Sequence, residues 1–128
     1  MTDRENDLGG LEIDTTDHDD CRVLTLRGEL DVACLGMQAE DFCAKVADAP
    51  RRLAICDMRE VAFCDSTGIG ILIRAAKQLW EHGGVVRLLA PQPHLKHVLT
   101  LNGLTTALPM FGDLDDARRT PVGAPPRR

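Results

Sequence analysis

Apolar and polar residues alternate in two short stretches near the start of the chain. LEID at residues 11–14 alternates strictly, and after an acidic turn at 16–21 the sequence VLTL at 23–26 continues in the same way. Alternation with a period of two is typical of strands that have one buried face. We therefore predict two strands, and GELD at residues 28–31 breaks the pattern after the second of them.

Helical spacing of apolar residues then appears in three segments. The first predicted helix runs from about residue 32 to Asp48 and stops at Pro50. The second is the clearest helix in the chain and ends at Gly83-Gly84, where glycine can adopt the left-handed conformation. A third, short helix covers residues 94–101. The residues with helical spacing are Leu35, Ala39, Phe42 and Val46 in the first helix, Ile69, Leu72, Ile73, Ala76, Leu79 and Trp80 in the second, and Leu95, Val98 and Leu99 in the third.

Short continuous apolar runs between the helices predict further strands. Residues 53–57 and 85–89 are typical of buried strands, and we expect a loop from residue 58 to Asp65 after the first of them. Residues 108–111 suit an edge strand because Pro109 is tolerated there. A final helical turn is expected at 113–117. The third helix should stop at Asn102-Gly103, with Leu104 packed back on Leu99 as in a Schellman ending. The order of elements predicts an α/β fold, with a mixed four- to five-stranded sheet and helices packed mainly on one face.

The segment Asp65-Ser66-Thr67-Gly68 lies where a central strand gives way to the second helix. Open α/β sheets usually carry their functional groups at such a place, and a helix start offers unpaired N–H groups to anions. Asp65 or Ser66 can cap a helix that begins near Thr67. Gly68 and Gly70 each cost up to about 1 kcal/mol inside a helix, so we expect close backbone approach or a bare surface here.

Composition narrows the classes of function. A chain of 128 residues and 14.0 kDa is the size of one domain. The net charge of -5 and an aromatic content of 3% argue against nucleic acid binding. No apolar run is long enough to cross a bilayer and the N-terminus lacks a secretion signal, so we expect a cytoplasmic protein that does not bind membranes. We expect the cysteines to be reduced thiols packed as small apolar side chains, at positions Cys21, Cys34, Cys43, Cys56 and Cys64.

The sequence contains only weak patterns for catalysis, nucleotide binding or metal binding. Ser66 could be the nucleophile of a serine hydrolase, but Cys64 stands where a GxSxG motif needs its first glycine. The glycines at 68 and 70 lack the third member of a dinucleotide fingerprint, and no P-loop occurs. Two further groups, each with a weak case for metal binding, are more simply read as solvated residues: His94 and His97 on a short helix, and Asp17, Asp19 and Asp20 in a turn.

Two motifs together carry a family resemblance. LRGELD at 26–31 and FCDSTGIGIL at 63–72, with a strand ending in Asp57 and a helix ending at Gly83-Gly84, resemble the STAS domain. More narrowly, the chain is similar to bacterial anti-sigma factor antagonists, also called anti-anti-sigma factors. The likeness covers residues 10–117 and implies a STAS domain there. We expect residues 1–9 to be a flexible N-terminus and residues 118–128 a disordered tail rich in Pro and Gly.

The resemblance implies a phosphorylation switch. The anti-sigma factor, itself a Ser/Thr protein kinase, would phosphorylate Ser66, and a PP2C-type phosphatase would remove the phosphate. The unphosphorylated protein would bind the anti-sigma factor and release a sigma factor by partner switching. Asp31, Asp65, Thr67 and Gly68 would line the docking patch around Ser66. The alternatives are a STAS scaffold subunit in a sensory assembly, or a serine hydrolase that uses Ser66; we expect no enzyme activity, no cofactor and no metal.

Overall fold

The computed structural model describes residues 11–31 and 38–121, which form one mixed five-stranded sheet with helices on both faces. The strand order is the chain order, from β1 to β5. β1 pairs with β2 in the antiparallel sense, and the remaining neighbours are parallel. The fold class predicted from the sequence is thus confirmed. The strands are β1 (Glu12–Asp17), β2 (Arg22–Leu30), β3 (Leu53–Cys64), β4 (Val85–Leu89) and β5 (Met110–Phe111).

Among the described residues, four α-helices connect or follow these strands, and a short 3-10 turn at Pro50–Arg52 precedes β3. The predicted helical positions before residue 38, including Leu35, lie outside the described residues, as do Cys34 and the segments 1–10 and 122–128. None of the helices within the described ranges is long and apolar enough to span a membrane. The helices are α1 (Ala39–Ala47), α2 (Ser66–Trp80), α3 (Pro93–Leu101) and α4 (Leu114–Arg119).

The sheet buries apolar side chains on both faces because successive strand residues point in opposite directions. The larger core lies under α1, α2 and α3, where Leu24, Cys56 and Leu88 of the sheet meet the helices. A smaller core on the other face includes Ile55 and Leu89 and is covered by Ala117 of α4. Most helices therefore pack on one face, as expected, and the last helix crosses to the other.

Three strands are longer than the alternation pattern predicts, and the first, β1, continues to Asp17, into the expected acidic turn. β2 continues through Gly28-Glu29-Leu30, and β3 continues to Cys64, so the expected loop before Asp65 is wrong. β2 and β3 stay paired to their ends, where Leu30 lies opposite Cys64. The register shifts near Gly28, whose φ of 116° suits glycine, and this irregularity hid the strand in the sequence pattern.

The helix ends follow the glycine signals. Gly83 has a φ of 85° just after α2, and Gly103 has a φ of 68° just after α3. The Leu104 amide donates to the Leu99 carbonyl at 2.9 Å, which is the predicted Schellman ending. The prediction that Trp80 belongs to the apolar face of α2 was wrong, since its side chain is 73% exposed. The rotation of about 100° per residue carries Trp80 off the buried stripe that ends at Leu79.

Candidate functional site

The start of α2 is capped by a carboxylate. Oδ1 of Asp65 accepts a hydrogen bond from the Gly68 amide at 3.0 Å, while the backbone of Asp65 is extended. This geometry satisfies one of the amide donors that every helix start leaves without an intrahelical partner. Of the two capping candidates in the sequence, Asp65 is the one used, and the helix begins one residue earlier than predicted, at Ser66.

Ser66 is the first residue of α2, and both it and Thr67 are exposed. Within the described parts of the chain, the Ser66 hydroxyl takes part in no hydrogen bond, because the capping role belongs to Asp65. A hydroxyl at the first turn of a helix lies in the positive field of the helix dipole. The position can therefore accept a negatively charged group without loss of the cap.

Gly68 lies beneath this surface. It is buried, and a Cβ at this position would stand 2.1 Å from the Leu30 carbonyl oxygen and 2.8 Å from the Cys64 Sγ. A side chain would push α2 away from the end of β2. The close backbone approach expected for Gly68 is thus present, and the glycine joins the GEL and DSTG motifs in space.

Asp31, the aspartate of the GELD motif, lies at the same end of the sheet as Asp65. Asp31 directly follows Leu30, as Asp65 directly follows Cys64, and Leu30 and Cys64 are register partners. The Asp65 amide also donates to the Leu30 carbonyl at 3.1 Å. Asp31 and Asp65, both partly buried, therefore place two acidic residues at the end of the sheet next to Ser66.

Gly70 differs from Gly68 although both belong to α2. It is exposed, and a Cβ built on it would meet nothing within 4 Å. Residues four apart in a helix lie on the same face, so Gly70 continues the surface below Ser66. Because no contact with another described residue requires a glycine here, its effect is to leave the surface bare.

Cys64 connects the patch to the core. Its thiol is buried, and burial, with a smaller effect from the nearby Asp65 carboxylate, raises its pKa to about 12. The thiol is therefore neutral at physiological pH. Cys21, Cys43, Cys56 and Cys64 are all free thiols packed in the core, which agrees with the expectation for the four cysteines that the structure describes.

The sequence reasoning missed Phe63 and the cavity beside it. Phe63 is 48% exposed although it lies in β3, three residues before Ser66. It borders a cavity of about 190 Å³ between the end of β3 and the start of α3, which Met58, Val61 and Leu95 also line. The apolar run VAF at residues 61–63 could have indicated an apolar surface here, but we expected a loop at residues 58–64.

Asp57 and Arg59 form an ion pair on β3, on the face of the sheet opposite Cys56 and the larger core. The guanidinium of Arg59 donates to Asp57 in two hydrogen bonds, at 2.9 and 2.7 Å, and the Arg59 amide donates at 3.1 Å. Burial acts to raise the pKa of Asp57, but these hydrogen bonds outweigh it and hold the pKa below its ordinary value.

Arg87 is a second residue that the sequence pattern did not flag. It is 2% exposed in the middle of β4, and its guanidinium donates to the carbonyls of Ala117 and Pro121 and lies over the Phe111 ring, 5.2 Å from its centre. A charged residue inside an apolar strand run was the available signal. These contacts bind the C-terminal end of α4 to β4, away from Ser66.

The other candidate sites do not assemble. Asp17 bonds Arg22, and Asp20 pairs with Arg118. Nowhere in residues 11–31 and 38–121 do three His, Cys, Asp or Glu side chains form a group that could hold a metal ion. The Nδ1 of His82 lies 3.0 Å from the Gln78 carbonyl near the far end of α2, and no described histidine bonds Ser66.

Fold and site together define a small α/β module with an exposed serine at a helix start. The family model of the STAS domain matches residues 12–117, so the chain belongs to the STAS domain family. The curated "Anti-sigma F factor antagonist" of Paenibacillus polymyxa is 22% identical over 101 residues, which are 79% of this chain and 86% of the relative.

Solved structures agree with the family. An anti-sigma factor antagonist from Mycobacterium paratuberculosis has a TM-score of 0.73 and 28% identity, covering 86% of this chain and 92% of that one. The Bacillus cell fate determinant SpoIIAA in its phosphorylated form has a TM-score of 0.61 and 21% identity, covering 81% and 93%. The first similarity links this chain to proteins of that name, and the second shows the shared fold.

Proposed function

We propose that this protein is a cytoplasmic anti-sigma factor antagonist. In its unphosphorylated form it binds an anti-sigma factor that is also a Ser/Thr kinase, and this binding releases a sigma factor. Phosphorylation of Ser66 by the anti-sigma factor ends the interaction, and a PP2C-type phosphatase restores it. The names of the similar proteins from Paenibacillus polymyxa and Mycobacterium paratuberculosis support the antagonist role.

The observation that carries the proposal is the state of the Ser66 hydroxyl. It is exposed and not needed for capping, since Asp65 already holds the Gly68 amide. A kinase active site can therefore reach Ser66 without unfolding the start of α2. The structure of SpoIIAA in a phosphorylated form supports the view that this fold tolerates a phosphate.

The bare surface at Gly70 suggests how the phosphate acts. A partner that lies flush against the first turns of α2 contacts Ser66 and Gly70 at once, since both are exposed on one face. A phosphate adds bulk and a charge of about -1.5 to -2 beside the Asp31 and Asp65 carboxylates. It would hold the partner surface off α2 and repel any partner carboxylates, while the helix dipole stabilises the modified fold.

The five residues of the proposed docking patch have different roles in this scheme. Ser66 and Thr67 are exposed and contact the partner, Asp31 and Asp65 supply charge at its border, and Gly68 sets the height of α2 above β2. The partner contacts stay a prediction. Sigma release then follows because two proteins compete for one surface of the anti-sigma factor.

Phosphorylation by the anti-sigma factor tests the proposal directly. The full chain is incubated with ATP and a purified anti-sigma factor of the kinase class from the same organism, and its mass is measured. We expect the addition of one phosphate to the wild type and to Thr67→Ala, and none to Ser66→Ala. A phosphate on Thr67, or no modification of the wild type, would contradict the assignment; a scaffold subunit or a hydrolase would give the second result.

A further inference from the structure

The edge of β3 beside Ser66 is only half paired. β3 contacts β2 along its length, up to the pair Leu30 and Cys64. On its other side it pairs with β4 only as far as Asp57, opposite Leu89. Within the described residues, one hydrogen bond meets this second side beyond that point, from the Gln92 side chain to the Arg59 carbonyl at 3.2 Å.

An unpaired strand edge presents backbone donors and acceptors that another extended chain can use. In β3 this edge covers residues 60–64, which lead directly into Asp65 and Ser66. The cavity of about 190 Å³ opens beside the same residues. A cavity of about 150 Å³ holds a benzene-sized group, so this one has room for a single large apolar side chain.

The proposed docking patch needs such an extension. Stable protein interfaces bury about 800 Å² on each partner and concentrate their binding energy in buried apolar or aromatic residues. The patch around Ser66 is small and polar. Three large apolar side chains are exposed in the described ranges: Phe63, Trp80 and Leu101. Of these, Phe63 lies next to the patch, because it is three residues from Ser66; it is 48% exposed.

We infer that an extended segment of the anti-sigma factor pairs with β3 at residues 60–64 and places one apolar side chain in the cavity beside Phe63. This inference rests on the proposed function and specifies the second half of its interface. The partner's edge contact and its contact with α2 then meet at Ser66. A phosphate at that junction disturbs both, which explains why a single modification is enough to release the partner.

A second copy of this chain fits the edge less well. Pairing of two identical edges is disfavoured by charged residues and by irregularities in the strand. Arg59 and Glu60 are both exposed at this part of β3, and the register with β2 shifts between Val61 and Phe63, which lie opposite Gly28 and Glu29. A partner segment, unlike a second copy, can carry a sequence that complements Arg59, Glu60 and the irregular register of this edge.

Binding measurements with matched variants test the inference. Phe63→Ala should weaken binding of the purified anti-sigma factor by about tenfold or more, as expected for an aromatic anchor. Trp80→Ala removes an aromatic residue that is more exposed, at the far end of α2 and about 20 Å away along the helix, and should change binding less than twofold. His94→Trp, at the exposed rim of the cavity, should also weaken binding by obstructing entry.

Hydrogen exchange supplies a readout of the backbone contact. Amides in residues 60–64 should exchange more slowly in the complex than in the free protein, whereas amides around Trp80 should not change. Circular dichroism melting of each variant checks that the fold is retained; if Phe63→Ala fails to fold, His94→Trp and the exchange data decide the outcome.

The outcomes separate the two proposals. If Ser66→Asp abolishes binding but Phe63→Ala and His94→Trp do not weaken it and the 60–64 amides stay unprotected, the edge site is wrong and the antagonist function stands. If the wild type does not bind the anti-sigma factor at all, both are wrong. If light scattering shows that Phe63→Ala disrupts a homodimer instead, the edge belongs to a second copy and the inference is overturned.

Discussion

Gly68 and Leu30 are in direct backbone contact: a Cβ on Gly68 would lie 2.1 Å from the Leu30 carbonyl oxygen. Through this contact the start of α2 rests on the end of β2. The two polar motifs, separated by more than thirty residues in the chain, therefore share one surface. The position of Ser66 depends on the absence of a single methyl group beneath it.

Gly68→Ala should destabilise the fold, and Gly70→Ala should not. Inserting a methyl group at position 68 forces α2 away from Leu30 and costs about 1–3 kcal/mol of unfolding free energy. At position 70 the methyl group meets nothing, so the better helix propensity of Ala adds up to about 1 kcal/mol. Urea denaturation of the two variants measures both. Equal stabilities would show that the close approach at Gly68 has no energetic weight.

Gly70→Ala should at the same time weaken binding of the anti-sigma factor and slow phosphorylation of Ser66. The added methyl group stands on the exposed face of α2, where we propose that the partner lies flush. A variant that is more stable yet binds less well separates the surface effect from folding. The measurement is titration calorimetry with the anti-sigma factor; unchanged affinity would remove Gly70 from the interface.

Asp65→Ala should cost about 1 kcal/mol of stability, because the Gly68 amide loses its acceptor. Asp65→Asn keeps a capping oxygen and should retain most of the stability, which thermal melting can check. Asp113→Ala is the matched control, since Asp113 caps α4 through the Asp116 amide on the other face of the sheet. It should lower stability without changing the rate of Ser66 phosphorylation.

Ser66→Asp should abolish partner binding and leave the melting temperature within a few degrees of the wild type. The new carboxylate lies at the start of α2, where the helix dipole favours negative charge and Asp65 keeps the cap. Thr67→Asp adds the same charge one residue along and shows how local the effect is. A large loss of stability in Ser66→Asp would contradict the geometry of this site.

Asp57 should make the fold sensitive to acid. Its folded pKa is lowered from 3.8, the ordinary value, because hydrogen bonds from Arg59 outweigh the opposing effect of burial. The stabilisation is present above pH 3.8 and is lost as the pH falls through the folded pKa. Asp57→Asn should therefore flatten the pH dependence of the unfolding free energy below about pH 4. An unchanged acid limb in the variant would exclude this role.

Much of this protein could be predicted from the order of residues. Apolar spacing and glycine signals gave the order of the elements and the mixed sheet, and the Leu99–Leu104 ending of α3 was predicted from Asn102-Gly103. These features depend on local preferences of the backbone and on which side chains avoid water, so a linear pattern is enough to reveal them. The position of Ser66 at the start of α2 followed from the same pattern.

The tertiary structure decided what the linear pattern leaves open. The extension of β3 to Cys64 depends on its pairing with β2, and the half-open edge beside Phe63 exists because β4 ends at Leu89. Tertiary contacts likewise decide that Asp65 and not Ser66 is the cap. They also decide that Gly68 is buried against Leu30 while Gly70 is exposed. Pairing and packing join residues that are distant in the chain, and no local pattern encodes the partner that each one meets.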